Sequence, residues 1–441
     1  MAFKDYLPNC LRVHQVRPDH PLEWQDDSGN KKVTLDSLID ENCQEFSDNA
    51  SAYLNPMLLN GHMQTAYAAF KPFETVDRVF YKRLILTYRD QGEGSVDIAV
   101  KSLEKSDYIP RNQSKFKLPS NYSFFEANDP RLYSNDDKPM VIILHGLTGG
   151  SAESYARTLV NRITAGYNFE ACVFNARGCC NSCLTTPQMY NGGWTNDIRQ
   201  CVNDLKSRFP NRKFYMVGFS LGASIMSNYI GEQGDKSEIE CAVALGNPWD
   251  LCHSSYYINN TRMGSHFYSP ALAKNLVDLA QKHIDVLKES PTLGQAYKEH
   301  IIRAPKTVEE FDNLFTAPMF GYNTATEYYR NASSCNRLLS IRTPFLAINA
   351  IDDPIVGFES LPEYEVKANP YVLMLKTTKG GHVAWFSDKH GKRWYTDPLC
   401  RFLSAFHKEV VLRSLKPKIN EKLLPTNIVG PVMTTYGDYY V

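Results

Sequence analysis

The run from Lys213 to Gly234 restricts the chain more than any other stretch. Phe214 to Val217 are apolar and partly β-branched, which predicts a short buried strand. Ala223 to Ile230 continue without proline or glycine, in residues a helix accepts. Between them stands Gly218-Phe219-Ser220-Leu221-Gly222, a G-x-S-x-G with strand before and helix after. A sharp strand-to-helix turn leaves no room for side chains at its two flanking positions, so both must be glycine. The turn lifts the serine hydroxyl above the sheet edge. The next amide, that of Leu221, then lies at a helix start, where it can stabilise a developing oxyanion. With 25 glycines in 441 residues, a chance match to this spacing is expected in about one chain in ten. The flanking strand and helix make chance rarer still.

Around this turn short apolar runs alternate with helical patterns. Met140 to Leu144 predicts a fully buried strand leading into His145-Gly146-Leu147-Thr148-Gly149-Gly150. A helix over 152–164, a strand over 171–175 and an amphipathic helix over 194–209 follow, then the serine turn and a strand over 241–245. This alternation predicts an α/β fold, with a mostly parallel sheet and helices on both faces. Residues 249–335 interrupt it with a long, aromatic, mostly helical pattern. Strands over 344–349 and 371–375 and a final helix near 399–412 resume it. The expected organisation is an N-terminal extension with first strands over 1–138, core at 139–248 and 336–415, a helical cap insertion at 249–335 and a tail at 416–441. Residues 1–75 read as irregular, apart from a polar cluster, Asn60-Gly61-His62-Met63-Gln64-Thr65, that opens a short helical pattern. Strand-like runs lie at Val79 to Thr87 and Val96 to Val100, and Lys101 to Lys138 reads as a loop-rich excursion.

Charge argues against one class of partner. There are 48 basic and 48 acidic residues and no basic block, so nucleic-acid binding is not expected. The first ten residues hold no apolar core of a signal peptide, and no stretch approaches the ~18 apolar residues of a membrane span. Eleven irregularly spread cysteines suit a reducing compartment better than a disulfide framework. A cytoplasmic protein is therefore expected, with peripheral contact at lipid droplets or organelle membranes and unmodified sequons at Asn49, Asn112, Asn121, Asn259 and Asn331.

Ester cleavage by serine needs a base for the hydroxyl proton, an acid to orient the base and donors for the oxyanion. Downstream of Ser220 the sheet offers both side chains, each just past a strand. Asp352 and Asp353 follow the strand at 344–349, and His382, after Gly380-Gly381, follows the strand at 371–375. Asp353, directly before Pro354-Ile355-Val356, is the preferred acid, and Asp352 is expected to face solvent or hold the turn. Of the 11 histidines, His382 alone is glycine-flanked just past a sheet strand in the order Ser, Asp, His. His145 is expected to brace its loop, leaving the Leu147 amide as an oxyanion donor beside that of Leu221. Cys179, Cys180 and Cys183 have no second ligand pair at zinc spacing, so no metal and no cofactor are expected. His14 and Asp19, in a Pro-rich terminus, read as a coincidental H-x4-D.

The set His145 to Gly150, Asn175-Ala176-Arg177-Gly178, Gly218 to Gly222, Asn349-Ala350-Ile351-Asp352-Asp353-Pro354 and Gly380-Gly381-His382 resembles the AB hydrolase 4 family of the α/β-hydrolase superfamily. Asn60 to Thr65 is similar to that family's N-terminal signature, which extends the likeness over about residues 50–410. Family members carry Ser, Asp and His at the positions read here as Ser220, Asp353 and His382. The resemblance implies a serine esterase or lipase working through an acyl-enzyme, on medium-chain acyl esters or monoacylglycerols. Water or a small alcohol would accept the acyl group, the latter giving fatty acid ethyl esters. The alternative is an inactive α/β-hydrolase that serves as a binding protein, and a complete triad is what separates the two.

Overall fold

A computed structural model describes residues 9–425 apart from 27–28, 30–31, 105–116, 127–128, 300, 419, 421 and 423. The sequon at Asn112, most of the first ten residues and the tail from 426 to 441 lie outside the described residues. Fourteen strands are present among those described: β1 Cys10–Val16, β2 Glu23–Gln25, β3 Lys32–Val33, β4 Ser51–Tyr53, β5 Phe80–Thr87, β6 Glu93–Val100, β7 Tyr122–Phe124, β8 Met140–Leu144, β9 Glu170–Asn175, β10 Phe214–Phe219, β11 Ile239–Leu245, β12 Phe345–Ala350, β13 Val372–Thr377 and β14 Lys416–Lys418.

Eleven of them form one sheet in the order β4-β1-β13-β12-β11-β10-β8-β9-β6-β5-β7. The middle of it, from β13 through to β9, is parallel throughout. Every residue of β8, β10 and β12 is buried, as a strand covered by helices on both faces requires. Antiparallel pairs β9–β6, β6–β5, β13–β1 and β1–β4 extend the two flanks. Crossing the β5–β6 hairpin, the Arg83 guanidinium donates two 2.7 Å bonds to the Asp97 carboxylate, both side chains buried.

One expectation for the N-terminus is overturned. Residues 10–16 are a sheet strand, with Leu11, Val13 and Val16 turned inward, and His14 stands opposite Lys376 on β13. Within the stretch read as a loop-rich excursion, β7 pairs in parallel with β5. β14 pairs with β2 in a separate 3-stranded sheet.

Between β11 and β12 the chain is helical, chiefly Leu251–Asn260, Ser269–Lys282 and Ala325–Ala332 with shorter turns between. Phe311, Phe315, Phe320 and Leu279 form an apolar core there with Met189 and Trp194 from the segment after β9. The helical region thus shares its interior with that segment of the sheet domain.

Candidate active site

Ser220, Asp353 and His382 leave the C-terminal ends of β10, β12 and β13, the edge at which open parallel sheets hold their ligands. The structure brings all three together. His382 Nε2 lies 2.7 Å from Ser220 Oγ, and His382 Nδ1 lies 2.7 Å from Asp353 Oδ2. Asp353 is 1% exposed, and its other oxygen accepts from the amides of Ile355 (2.8 Å) and Val356 (3.1 Å). The carboxylate is thus fixed by backbone on one oxygen and presents the other to the imidazole. Ser220 and His382 remain partly open to solvent.

The serine turn has the strained form its glycines predict. Ser220 has φ 51° and ψ −123°, a region that side-chain-bearing residues enter only when the surroundings enforce it. A Cβ on Gly218 would lie 2.5 Å from the Ala223 Cα. One on Gly222 would lie 2.3 Å from the His145 carbonyl oxygen and 2.5 Å from that of Leu144. The helix Leu221–Gln233 is therefore pressed onto the end of β8, and most of its length is buried.

The loop after β8 is held by two tyrosines that no sequence motif singles out. Gly146 N donates to Tyr155 Oη (2.9 Å) and Thr148 N to Tyr190 Oη (2.8 Å). The amide of Leu147, between them, donates to no protein group among the described residues. Leu221 is the first residue of its helix, where the backbone N–H has no intrahelical acceptor. Two uncommitted donors thus belong to the segments flanking Ser220, and a Cβ on Gly146 would stand 3.3 Å from that of Ser220. His145 is buried and bridges its loop to the next: Nδ1 donates to the Gly146 carbonyl (2.7 Å) and Nε2 accepts from Ala176 N (3.0 Å). That pattern needs the neutral ring, and burial lowers its pKa to about 4.

Asp352 does not face solvent. Its Oδ1 accepts from Gly381 N (2.9 Å), next to the candidate base, and burial together with the Asp353 charge raises its pKa. The motif Asn175 to Gly178 has a structural part here. Asn175 Oδ1 accepts from Ser151 N (2.9 Å), and the buried Arg177 guanidinium pairs with Asp197 at 2.7 Å. Other histidines have bonds of their own: His283 to the Gly178 carbonyl (2.9 Å) and His407 to Tyr215 Oη (2.9 Å). Among the described residues no group of three or more His, Cys, Asp or Glu could hold a metal ion. No helix among them is long and apolar enough to cross a membrane.

A strained serine between two glycines, its histidine and buried aspartate at successive strand ends, and a mostly parallel sheet define a class. The family model of the alpha/beta hydrolase fold matches residues 139–389, and the chain belongs to that family. Among characterised relatives, a monoacylglycerol lipase of Saccharomyces cerevisiae is 52% identical over 449 residues, covering 99% of this chain and 99% of the lipase. A medium-chain fatty acid ethyl ester synthase/esterase 2 of the same organism is 32% identical, over 90% of this chain and 95% of its own. An esterase of Pyrococcus furiosus superposes with a TM-score of 0.44 at 17% identity, over 77% of this chain and 94% of that one.

Proposed function

We propose that the protein is a serine ester hydrolase acting on monoacylglycerols and medium-chain acyl esters through an acyl-enzyme on Ser220. The carrying observation is the unbroken line from Asp353 Oδ2 through His382 to Ser220 Oγ, with 2.7 Å at each step. In this reading His382 Nε2 takes the hydroxyl proton as Oγ attacks the ester carbonyl, then returns it to the departing glyceryl or alkoxy oxygen. Asp353 holds Nδ1–H and balances the transient imidazolium, while the Leu147 and Leu221 amides receive the oxyanion. Water, activated by the same imidazole, releases the fatty acid. The region 249–335 serves as the cap over this edge. The identity to a monoacylglycerol lipase over nearly the full length of both chains supports the acylglycerol substrate.

Purified Ser220→Ala protein should lose both monoacylglycerol hydrolysis and fluorophosphonate labelling while keeping its fold. Loss of a triad nucleophile typically lowers kcat by about 10⁶. Wild-type turnover by the folded variant would remove Ser220 from the mechanism.

The same acyl-enzyme has a second outlet, transfer of the acyl group to a small alcohol, favoured by the relative named as an ethyl ester synthase/esterase. We also place the enzyme in the cytoplasm and in peripheral contact with lipid. All eleven cysteines are free, which supports a reducing compartment. Met57 (72% exposed), Phe70 (85%) and Phe267 (61%) offer apolar side chains to a lipid surface. His62 on the Gly61–Phe70 helix stacks on Tyr268, which places Phe267 beside that helix. Flotation with triglyceride emulsions should carry the wild type and leave a Phe70→Ser, Phe267→Ser double variant behind. Equal recovery of the two would remove these residues from lipid contact.

A further inference from the structure

His382 stands on a loop that cannot hold its own shape. Val383 and Trp385, immediately after it, have φ of 52° and 48°. A β-branched and a bulky residue adopt that conformation only where neighbouring structure enforces it. Inside the loop two bonds help: Trp385 N to the Gly380 carbonyl (2.8 Å) and Trp385 Nε1 to Thr377 Oγ1 (2.9 Å). From outside, Asp352 holds the Gly381 amide (2.9 Å) and Asn55 N donates to the Phe386 carbonyl (2.9 Å). Further restraint comes from the first turns of the helix Gly61–Phe70, more than three hundred residues earlier in the chain.

Thr65 Oγ1 accepts the backbone N–H of His382 itself at 2.9 Å. Gln64 clamps the loop's far end, its Oε1 accepting Phe386 N (2.8 Å) and its Nε2 donating to Phe386 O (3.4 Å). Both side chains are buried, Gln64 at 1% and Thr65 at 7% exposure. The fit around them leaves no slack. A Cβ on Gly381 would meet the Gly61 carbonyl oxygen at 2.6 Å and Thr65 Oγ1 at 2.8 Å. One on Gly61 would meet the Asp352 carbonyl oxygen at 1.8 Å. The helix start is thus wedged between the loop bearing the acid and the loop bearing the base. Asn60 fixes that start in turn, its Oδ1 accepting Met63 N at 3.0 Å.

We propose that Thr65 and Gln64 are positioning residues for His382, so that the polar cluster Asn60 to Thr65 belongs to the catalytic apparatus without touching substrate. This rests on the reading of Ser220, Asp353 and His382 as the triad. The imidazole must keep Nε2 on Ser220 and Nδ1 on Asp353 while a proton crosses, and the anchored amide of His382 fixes the pivot about which the ring turns. Freeing that amide lets the loop explore backbone conformations in which one of the two bonds is broken. Productive geometry then becomes a minor fraction of the ensemble, and a shift of about 1 Å at such a site can cost 10²-fold in rate. The acyl chain makes its contacts elsewhere, so binding is spared and the loss falls on kcat.

The test compares Thr65→Val, which keeps the shape and removes the acceptor, with Thr65→Ser, which keeps the acceptor. Monoacylglycerol turnover, fluorophosphonate labelling rate and Tm are measured for each. The expected result is a 10- to 100-fold loss of kcat and of labelling rate in Thr65→Val, KM within about twofold, and Thr65→Ser within about threefold of wild type. Wild-type kcat in Thr65→Val would overturn the proposal. So would an equal loss in Thr65→Ser, which would make the effect one of packing. If Thr65→Val does not fold, Gln64→Met gives the same decision: a tenfold or greater loss confined to kcat supports the proposal, and wild-type kcat overturns it. Failure of the triad reading itself is recognised separately, by fluorophosphonate labelling that survives Ser220→Ala.

Discussion

Asp352 and Asp353 are chemically identical neighbours with different parts, and backbone geometry decides which is which. Asp353 is closed off by two amides on one oxygen and points the other at His382. Asp352 turns the opposite way, to the amide of Gly381. Asp353→Asn should lower kcat by about 10⁴, because an amide favours the imidazole tautomer with its proton on the wrong nitrogen. Asp352→Asn keeps an acceptor for Gly381 and should cost about tenfold at most. Steady-state kinetics on both variants decides the matter, and the reverse order of losses would make Asp352 the acid. The adjacency was legible in the sequence, as was the preference for Asp353. The Asp352–Gly381 bond was not, because it depends on how two loops 29 residues apart meet in space.

At the scale of the element, glycine has opposite values in two helices. In Leu221–Gln233 a methyl at position 222 has no space, since two carbonyl oxygens lie within 2.5 Å of where it would sit. Gly222→Ala should therefore force the helix off β8 and give a protein that is insoluble or several kcal/mol less stable. In Ser154–Tyr167, a Cβ on Gly166 would have the Arg162 side chain as its nearest neighbour, at 3.5 Å. Gly166→Ala should stabilise by up to about 1 kcal/mol through helix propensity. Urea denaturation of both variants reads the contrast, and a Gly222→Ala protein as stable as wild type would refute the account of the serine turn. The same packing explains what could be read in advance. Strands β8, β10 and β12 are continuous apolar runs because both their faces are covered. Strand β1 lies near an edge of the sheet, where alternating burial tolerates Arg12, His14 and Gln15 and hides the pattern. Aromatic content is ambiguous in the helical region for a related reason. Phe311, Phe315 and Phe320 fill that region's own interior, while Tyr256 and Phe267 face outward. Composition cannot tell a core aromatic from one that lines a pocket.

At the scale of the whole molecule what matters is where the acyl group goes: the edge of the sheet would carry the chemistry, and the helical region, as the proposed cap, would govern what reaches it. Leu221, the residue after Ser220, packs close to the helical region: its Cδ1, Leu251 Cδ1 and the Tyr328 hydroxyl all lie 3.1 to 3.4 Å from where a Cβ on Gly192 would stand. An acyl chain laid between the sheet edge and a cap would gain about 0.8 kcal/mol for each methylene buried. On that basis kcat/KM should climb severalfold per added methylene until the covered length is filled, then level off. Such a cap would also thin the water around the acyl carbon, so that an alcohol of modest concentration could compete for discharge. In the proposed mechanism both acceptors lose their proton to His382, so the two outlets should share every defect of that residue. The measurement follows free acid and ethyl ester from a medium-chain acyl ester as ethanol is raised. Ethyl ester should grow at the expense of acid, and His382→Ala should abolish both products together. Intact hydrolysis with no ethyl ester at any ethanol level would close the alcohol outlet. An ester-to-acid ratio that does not rise in proportion to ethanol would mean that acyl transfer proceeds through some route other than a common acyl-enzyme.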